Sequence, residues 1–249
     1  MERNVRTVDD LLRLMDRMFA PDADRWTEHG GSAWWDRRYQ DRSRPLPFCS
    51  TAAPDENLAD YLDRGLLHPR RALDLGCGTG RNALHLAAQG TEVDAVDLSP
   101  TALARASERA RAAGADICFH QGDAFALTGT ALTGRYDLIY DSGCFHHLPP
   151  HRRISYLALL DQHLAPGGHF ALTCFAAGVP DSGTERSDAD LYRDGHLHGG
   201  LAYTPDQLRW IFSDLTPVEV RRMREQPPGA AHFGKSFLWT ALFRRAPED

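Results

Sequence analysis

Three glycines at alternate positions, Gly76, Gly78 and Gly80, follow a short apolar run, Ala72-Leu73-Asp74-Leu75. A helical pattern carrying Ala83, Leu84, Leu86, Ala87 and Ala88 begins at once. Glycine at this spacing lets the backbone turn sharply and approach a ligand closely, because no Cβ intervenes. A strand, a glycine turn and a helix N-terminus form the front half of a nucleotide-binding unit. Four acidic residues stand at related places: Asp74 on the glycine strand, Asp97 before Leu98, Asp123 before Ala124, and Asp141 after a fourth apolar run. A carboxylate closing the second strand can accept hydrogen bonds from both hydroxyls of a ribose. His146 and His147 follow Asp141, and an imidazole there could serve as a general base, since it titrates near neutral pH. His146, His147, His196, His198, Cys144 and Cys174 show no H-E-x-x-H or C-x-x-C spacing, so no metal site is expected.

Positioning these residues requires strands that end side by side. From Arg71 the pattern alternates, with strand candidates at 72–75, 92–97, 117–121, 137–140 and 169–173. Helices fit between them at 80–89, 100–113 and 150–164. Such alternation argues for a parallel sheet with right-handed crossovers and helices on both faces. Residues 176–203, rich in Gly, Asp and Ser, read as a long loop or lid. Thr204-Pro205 then starts a helix, with Thr as N-cap and Pro at the first helical position. Two late strands follow, near 218–223 and 237–243.

The first quarter is too aromatic to be a linker. Residues 7–19 have apolar positions at helical spacing, with Thr7 as N-cap and Pro21 closing the helix. A second helix is expected over 32–39, carrying Trp34, Trp35 and Tyr39. An extended, proline-set segment at 44–49 precedes a helix from Pro54 to near Gly65. The expected division is a helical cap over the active site at 1–66 and a second unit at 67–249, with an insertion at 176–203 that shapes the acceptor site.

Composition narrows the function classes. The 249 residues are 42% hydrophobic and 25% charged, which suits a globular domain with a sizeable core. A net charge of −6, with no basic run, gives no sign of a nucleic-acid partner. Five scattered cysteines argue against a disulfide framework and for a reducing, cytoplasmic setting. No apolar run is long enough to span a membrane, and the N-terminus lacks the apolar core of a signal peptide.

The run Leu73-Asp74-Leu75-Gly76-Cys77-Gly78-Thr79-Gly80 resembles the first motif of class I S-adenosylmethionine (SAM) methyltransferases. Its G-x-G-x-G phase differs from the dinucleotide fingerprint G-x-G-x-x-G, whose last glycine is replaced here by Arg81. Gln121-Gly122-Asp123-Ala124 is similar to the family's adenine-binding strand end. Leu164-Ala165-Pro166-Gly167-Gly168 looks like its helix–turn signature before the fifth strand.

The resemblance implies a three-layer, Rossmann-like α/β fold. Its seven-stranded sheet is mostly parallel, with an antiparallel C-terminal strand and an N-terminal helical cap. SAM is the implied cofactor and S-adenosylhomocysteine (SAH) its product. Asp74, Gly76, Gly78, Gly80, Asn82, Asp97, Leu98, Asp123, Ala124 and Asp141 are the expected contacts. The family's variable parts imply an acceptor pocket from Trp35, Tyr39, Phe48, Cys144 and Tyr203, with Tyr192, His196 and His198 nearby and Cys174 beside Cys144. Compactness and the early Trp-rich segment look like the thiopurine, halide/thiol and tellurite-resistance branch, and equally suit bacterial enzymes of secondary metabolism. A small-molecule acceptor methylated on S, O, N or C, and a monomer or homodimer, are the resulting expectations.

Plainer roles stand beside these. Asp97 and Asp123 occupy places where any α/β protein sets a turn residue, and Asn82 could be only a polar helix N-terminus. The His pair could simply shape its loop. Alternatives to the methyltransferase are an NAD(P)-dependent oxidoreductase on a similar sheet and a non-catalytic SAM-binding module.

Overall fold

The computed structural model describes residues 4–28, 30–41, 43, 51–180 and 182–248. The proline-set segment expected at 44–49, including Phe48 and Cys49, lies outside the described residues. Seven strands form one sheet: β1 (Arg71–Leu75), β2 (Glu92–Asp97), β3 (Ile117–Gln121), β4 (Tyr136–Ser142), β5 (Leu164–Phe175), β6 (Thr216–Arg222) and β7 (Leu238–Arg244). Their order is β3-β2-β1-β4-β5-β7-β6. Strands β1 to β5 pair in parallel, whereas β7 runs antiparallel to both β5 and β6. The order reverses between β1 and β4, which places a ligand crevice at their carboxyl ends.

Side-chain alternation along the strands builds two cores at once. Leu73, Leu75, Ile139, Phe170, Leu172 and Phe243 join one apolar cluster. Their neighbours Ala72, Leu138, Tyr140, Ala171 and Leu242 join the other. A one-residue slip in register would exchange the two sets, so burial on both faces fixes the pairing.

Helices cover each face. On the second cluster's side lie α3 (Glu56–Asp63), α4 (Arg81–Ala88) and α5 (Pro100–Ala113). On the first lie α7 (Arg152–His163) and α9 (Pro205–Ile211), while α6 (Ala124–Leu127) is a single turn packed at the edge. Their ends carry the signals read in the sequence. Ser99 caps α5 by accepting from Ala102 N, Pro100 follows, and Gly114 closes the helix in the left-handed conformation at φ 64°. Thr204 caps α9 in a capping box with Gln207.

The first quarter divides differently from the expected cap over 1–66. Helix α3 belongs to the sheet's helical layer, with Leu58 and Tyr61 fully buried. Helices α1 (Val8–Asp16) and α2 (Gly30–Gln40) lie outside that layer. Asp16 holds α1 in place: its carboxylate accepts from Trp26 Nε1 at 2.8 Å and Arg152 Nε at 3.0 Å, and lies 2.8 Å from His151 Nε2. The stretch at 176–203 is not an open loop. It contains α8 (Asp188–Asp194), and Leu191, Leu197 and Leu201 are buried in the main core.

Candidate active site

The cleft forms where the strands end. Gly76 and Gly78 take positive φ (66° and 56°), as a turn this tight requires. A Cβ at Gly76 would stand 2.9 Å from Cys144 Cβ, and one at Gly78 would stand 2.6 Å from the Tyr39 hydroxyl. At the end of β2, Asp97 accepts from Gly78 N through Oδ2 and from Ser99 N through Oδ1, each at 2.8 Å. The carboxylate therefore braces the glycine turn while lining the cleft beside Leu98. After β3, Asp123 Oδ1 accepts from Phe125 N at 2.9 Å, and Asp123 and Ala124 line the same cleft. Burial pushes both Asp97 and Asp123 up to about 6. The empty space of the cleft, including open solvent at its mouth, is about 1040 Å³.

Asp74 lies behind the turn, 1% exposed, and its Oδ2 has no hydrogen-bond partner among the described residues. Burial raises its carboxyl to about 8, against the opposing attraction of Arg81. An orphaned acceptor of this kind marks a place where a bound cation or donor would be favoured.

Helix α2 roofs the end of the cleft beside Asp97 and Leu98. Ser32 Oγ donates to Leu98 O at 2.8 Å, and Asp36 Oδ1 accepts from Ser99 Oγ and Thr101 N, each at 2.9 Å. These bonds attach the helix to the loop after β2 and bring Trp35 and Tyr39 over the cleft.

The other end is aromatic around a histidine pair. His146 stacks on Phe175 at 3.8 Å between centroids, and its Nε2 lies 3.1 Å from His147 Nε2. Leu201 N donates to His146 O at 2.7 Å, so the 176–203 segment fixes the pair's backbone. Burial drives His146 well below the usual imidazole range. His147 is pushed down to about 3 by burial, reinforced by Arg25. Both rings are thus neutral at physiological pH: they can take part in hydrogen bonds but are not strong bases.

One polar network underlies this end. Arg81 Nη2 donates to Asp55 Oδ1 at 2.6 Å and to Ser142 Oγ at 3.0 Å. Tyr140 Oη and Ser142 Oγ donate to Asp55 Oδ2 at 2.8 and 2.5 Å.

The structure brings most of the expected residues together. Gly76, Asp97, Leu98, Asp123, Ala124, Trp35, Tyr39, Cys144, His146 and His147 line one cleft. Gly78 lies just beneath Tyr39, and Gly80 packs against Ala106 as the N-cap of α4. Several residues depart from expectation, Asp74 among them, which does not line the cleft. Asn82 is committed to Asp55: its Oδ1 accepts from Asp55 N at 2.9 Å and its Nδ2 donates to Asp55 Oδ2 at 3.2 Å. Asp141 turns inward, accepting from Gly143 N, Cys144 N, Phe145 N and Tyr156 Oη, so it shapes the loop carrying the histidines. Tyr203 is 3% exposed in the main core, with its ring 5.1 Å from Phe145. Cys174 is likewise buried in that core, Tyr192 bonds His151, and His198 bonds Asp194 away from the cleft.

Sequence reasoning missed the other wall of the aromatic end. Phe233, Phe237 and Leu238 come from the β6–β7 connection and the start of β7, and Thr173 from β5. No spacing signal marks them. Among the described residues, Asp94, Cys118 and His120 lie close enough to share a metal ion, but Arg71, Tyr136 and His120 already bond the Asp94 carboxylate.

Residues 72–168 match the family model for a methyltransferase domain. The matched span covers the glycine turn, the Asp97 and Asp123 strand ends and the histidine pair. Over these residues the chain is similar to a methyltransferase domain. A curated relative, hemagglutinin 1 of Eikenella corrodens, is 30% identical over 146 residues, covering 59% of this chain and 44% of the relative. The 2-heptyl-1-hydroxyquinolin-4(1H)-one methyltransferase of Mycobacteroides abscessus is 32% identical over 138 residues, covering 54% of this chain and 60% of the relative. The chain thus spans about half the length of these curated relatives. A protein solved in work on the conversion of a disulfide bond into a thioacetal group during echinomycin biosynthesis superimposes with a TM-score of 0.68 at 26% identity, covering 88% of this chain and 93% of that one. The matched span supplies most of β1 and all of β2 to β4 with the glycine turn, while the segments outside it supply most of β5, all of β6 and β7, the roof and the Phe233–Phe237 wall. Among its described residues, no helix is long and apolar enough to cross a membrane.

Proposed function

We propose that the chain is an enzyme that transfers a methyl group from SAM to a small-molecule acceptor and leaves SAH. One observation carries the reading: the Asp97 and Asp123 carboxylates line a single cleft whose floor is a glycine turn too tight for a Cβ. Asp97 would accept from the ribose hydroxyls and Asp123 from the adenine amino group. The methionine part would lie along Gly76 and Gly78, with Asp74, whose Oδ2 lacks a partner among the described residues, nearest its ammonium, directly or through neighbours. When bound, SAM supplies an electrophilic methyl on a sulfonium; an acceptor X–H yields X–CH3, SAH and one proton. The chain's own part is to align the acceptor beneath the aromatic roof and exclude water. With both histidines neutral and weakly basic, His147 positions the acceptor's hydrogen rather than removing it unaided.

An oxidoreductase is disfavoured, because the turn has no third glycine in dinucleotide phase and Arg81 is committed to Asp55 rather than to a phosphate. A thiol-bearing or secondary-metabolite acceptor is supported by the likeness to the echinomycin-related protein. The cytoplasm is the compartment that suits its free cysteines Cys77, Cys118, Cys144 and Cys174, and the chain acts as a monomer or homodimer. Calorimetric titration with SAH and NADH tests the proposal. Micromolar SAH binding without NADH binding is expected; the reverse preference would overturn it. SAH binding with no turnover across a panel of thiols, phenols and amines would favour the non-catalytic module.

A further inference from the structure

A second group of donors lies on the sheet outside the cleft. Asp94 on β2 stands opposite Cys118 on β3 in the parallel register, and His120 follows two residues later, so the three side chains leave the same face. Their donor atoms, a carboxylate oxygen, a thiol sulfur and a ring nitrogen, lie within 4.8 Å of one another. The two oxygens of Asp94 are used differently. Oδ2 accepts from Arg71 Nη2 at 2.6 Å and from Tyr136 Oη at 2.9 Å, whereas Oδ1 lies 2.8 Å from His120 Nε2. Arg71 and Tyr136 therefore orient the carboxylate from behind, as outer partners orient metal ligands, and leave Oδ1 toward the imidazole and the thiol.

The surroundings favour a cation. Asp94 and Asp116 act on Cys118 against the single guanidinium of Arg71, which Glu92 also holds at 3.3 Å. Burial and those two carboxylates push the Cys118 thiol up from its ordinary value, an effect that a bound cation reverses. Zinc bonds of roughly 2.0–2.3 Å set the ligand atoms of a tetrahedral site about 3.3–3.7 Å apart. Donors already this close need only small side-chain rotations to reach that spacing, and Cys118 is exposed on the edge strand β3. A mixed sulfur, nitrogen and oxygen set suits Zn2+ rather than Mg2+ or Ca2+, which take oxygen ligands.

From this geometry we propose a zinc site outside the cleft, with Asp94 Oδ1, Cys118 Sγ and His120 Nε2 as three ligands and water as the fourth. The proposal stands independently of the methyltransferase reading. On binding, the Cys118 thiol gives up its proton to solvent and a zinc–thiolate bond forms, while His120 binds through Nε2 and keeps a proton on Nδ1. The ion clamps β2 to β3, the two strands that lead to Asp97 and Asp123.

The test uses the full chain, stripped of metal by a chelator and kept reduced by a phosphine. Calorimetric titration with Zn2+ should show saturable binding, with a heat that depends on the buffer because a proton is released. Titration with Co2+ should give a thiolate-to-cobalt charge-transfer band in the near ultraviolet, which the wild-type chain reports without any variant. Cys118→Ser should abolish that band, and Cys118→Ser and His120→Gln should each weaken zinc by at least ~10-fold. Zinc should raise the melting temperature of wild type but not of Cys118→Ser. His198→Gln, which alters the His196–His198 pair instead, should leave zinc affinity within about twofold. No saturable zinc binding, no charge-transfer band in wild type, unchanged zinc affinity in Cys118→Ser, or its loss in His198→Gln overturns the proposal.

Discussion

Replacing Asp97 with Asn isolates a single carboxylate in the proposed cofactor site. The native side chain accepts from two backbone N–H groups, Gly78 N and Ser99 N, each at 2.8 Å. An amide has one acceptor oxygen, so its NH2 must face one of those donors and the turn must shift. The lost charge-assisted acceptor should weaken SAH by about 1–3 kcal/mol, or roughly 5- to 150-fold in Kd. The pH dependence is more discriminating. With the Asp97 carboxyl at about 6, roughly 97% is ionised at pH 7.5 and only about 9% at pH 5. If only the ionised form accepts fully from the ribose, this group alone should cost wild type about 10-fold in affinity over that interval. Asp123, also at about 6, adds a second loss of similar size. The amide of Asp97→Asn cannot titrate, so wild type and variant should converge as pH falls. Calorimetric Kd values for SAH at pH 7.5, 6.5, 5.5 and 5.0 measure this. Parallel pH profiles, with a constant ratio at every pH, would refute the ribose assignment. Unliganded stability has the opposite sign. A carboxyl raised from 3.8 to about 6 contributes fully below 3.8, and that contribution is lost as pH rises through about 6.

Two further outcomes test the architecture. Asp55→Ala strands the buried Arg81 guanidinium and removes the acceptor of Tyr140 and Ser142, so urea denaturation should show a loss of about 3–5 kcal/mol; a loss below about 1 kcal/mol would mean the network contributes little. Gly78→Ala forces a Cβ to 2.6 Å from the Tyr39 hydroxyl at φ 56°. It should lower both thermal stability and SAH affinity, and adding Tyr39→Phe should restore part of each, leaving about 1–2 kcal/mol of backbone strain; no rescue would place the strain elsewhere.

Much of the cofactor half was legible because it is local. The glycines, the strand ends at Asp97 and Asp123, and the caps Ser99-Pro100 and Thr204-Pro205 act within a few residues, and hydrophobic alternation marks the strands between them. The side chains that departed from expectation did so through contacts distant in sequence. Asn82 bonds Asp55, 27 positions away, and Tyr203 packs beneath Phe145. Asp141 sits at a strand end like Asp97, yet the following chain wraps back and presents three N–H groups to it. No periodicity distinguishes those two strand ends.

By itself, the sequence determined the parallel sheet, the glycine turn and the acidic strand ends. Those features follow from backbone sterics and from a period-two burial that each segment carries alone. Only the tertiary structure decided what the acceptor end contains. Phe233 and Phe237 reach it from the far end of the chain, and Arg81 loses its availability to Asp55. The histidines lose their basicity there because burial among neighbouring elements penalises the charged form of both rings. Desolvation and charge pairing are properties of the assembled surroundings, which no local stretch of sequence encodes.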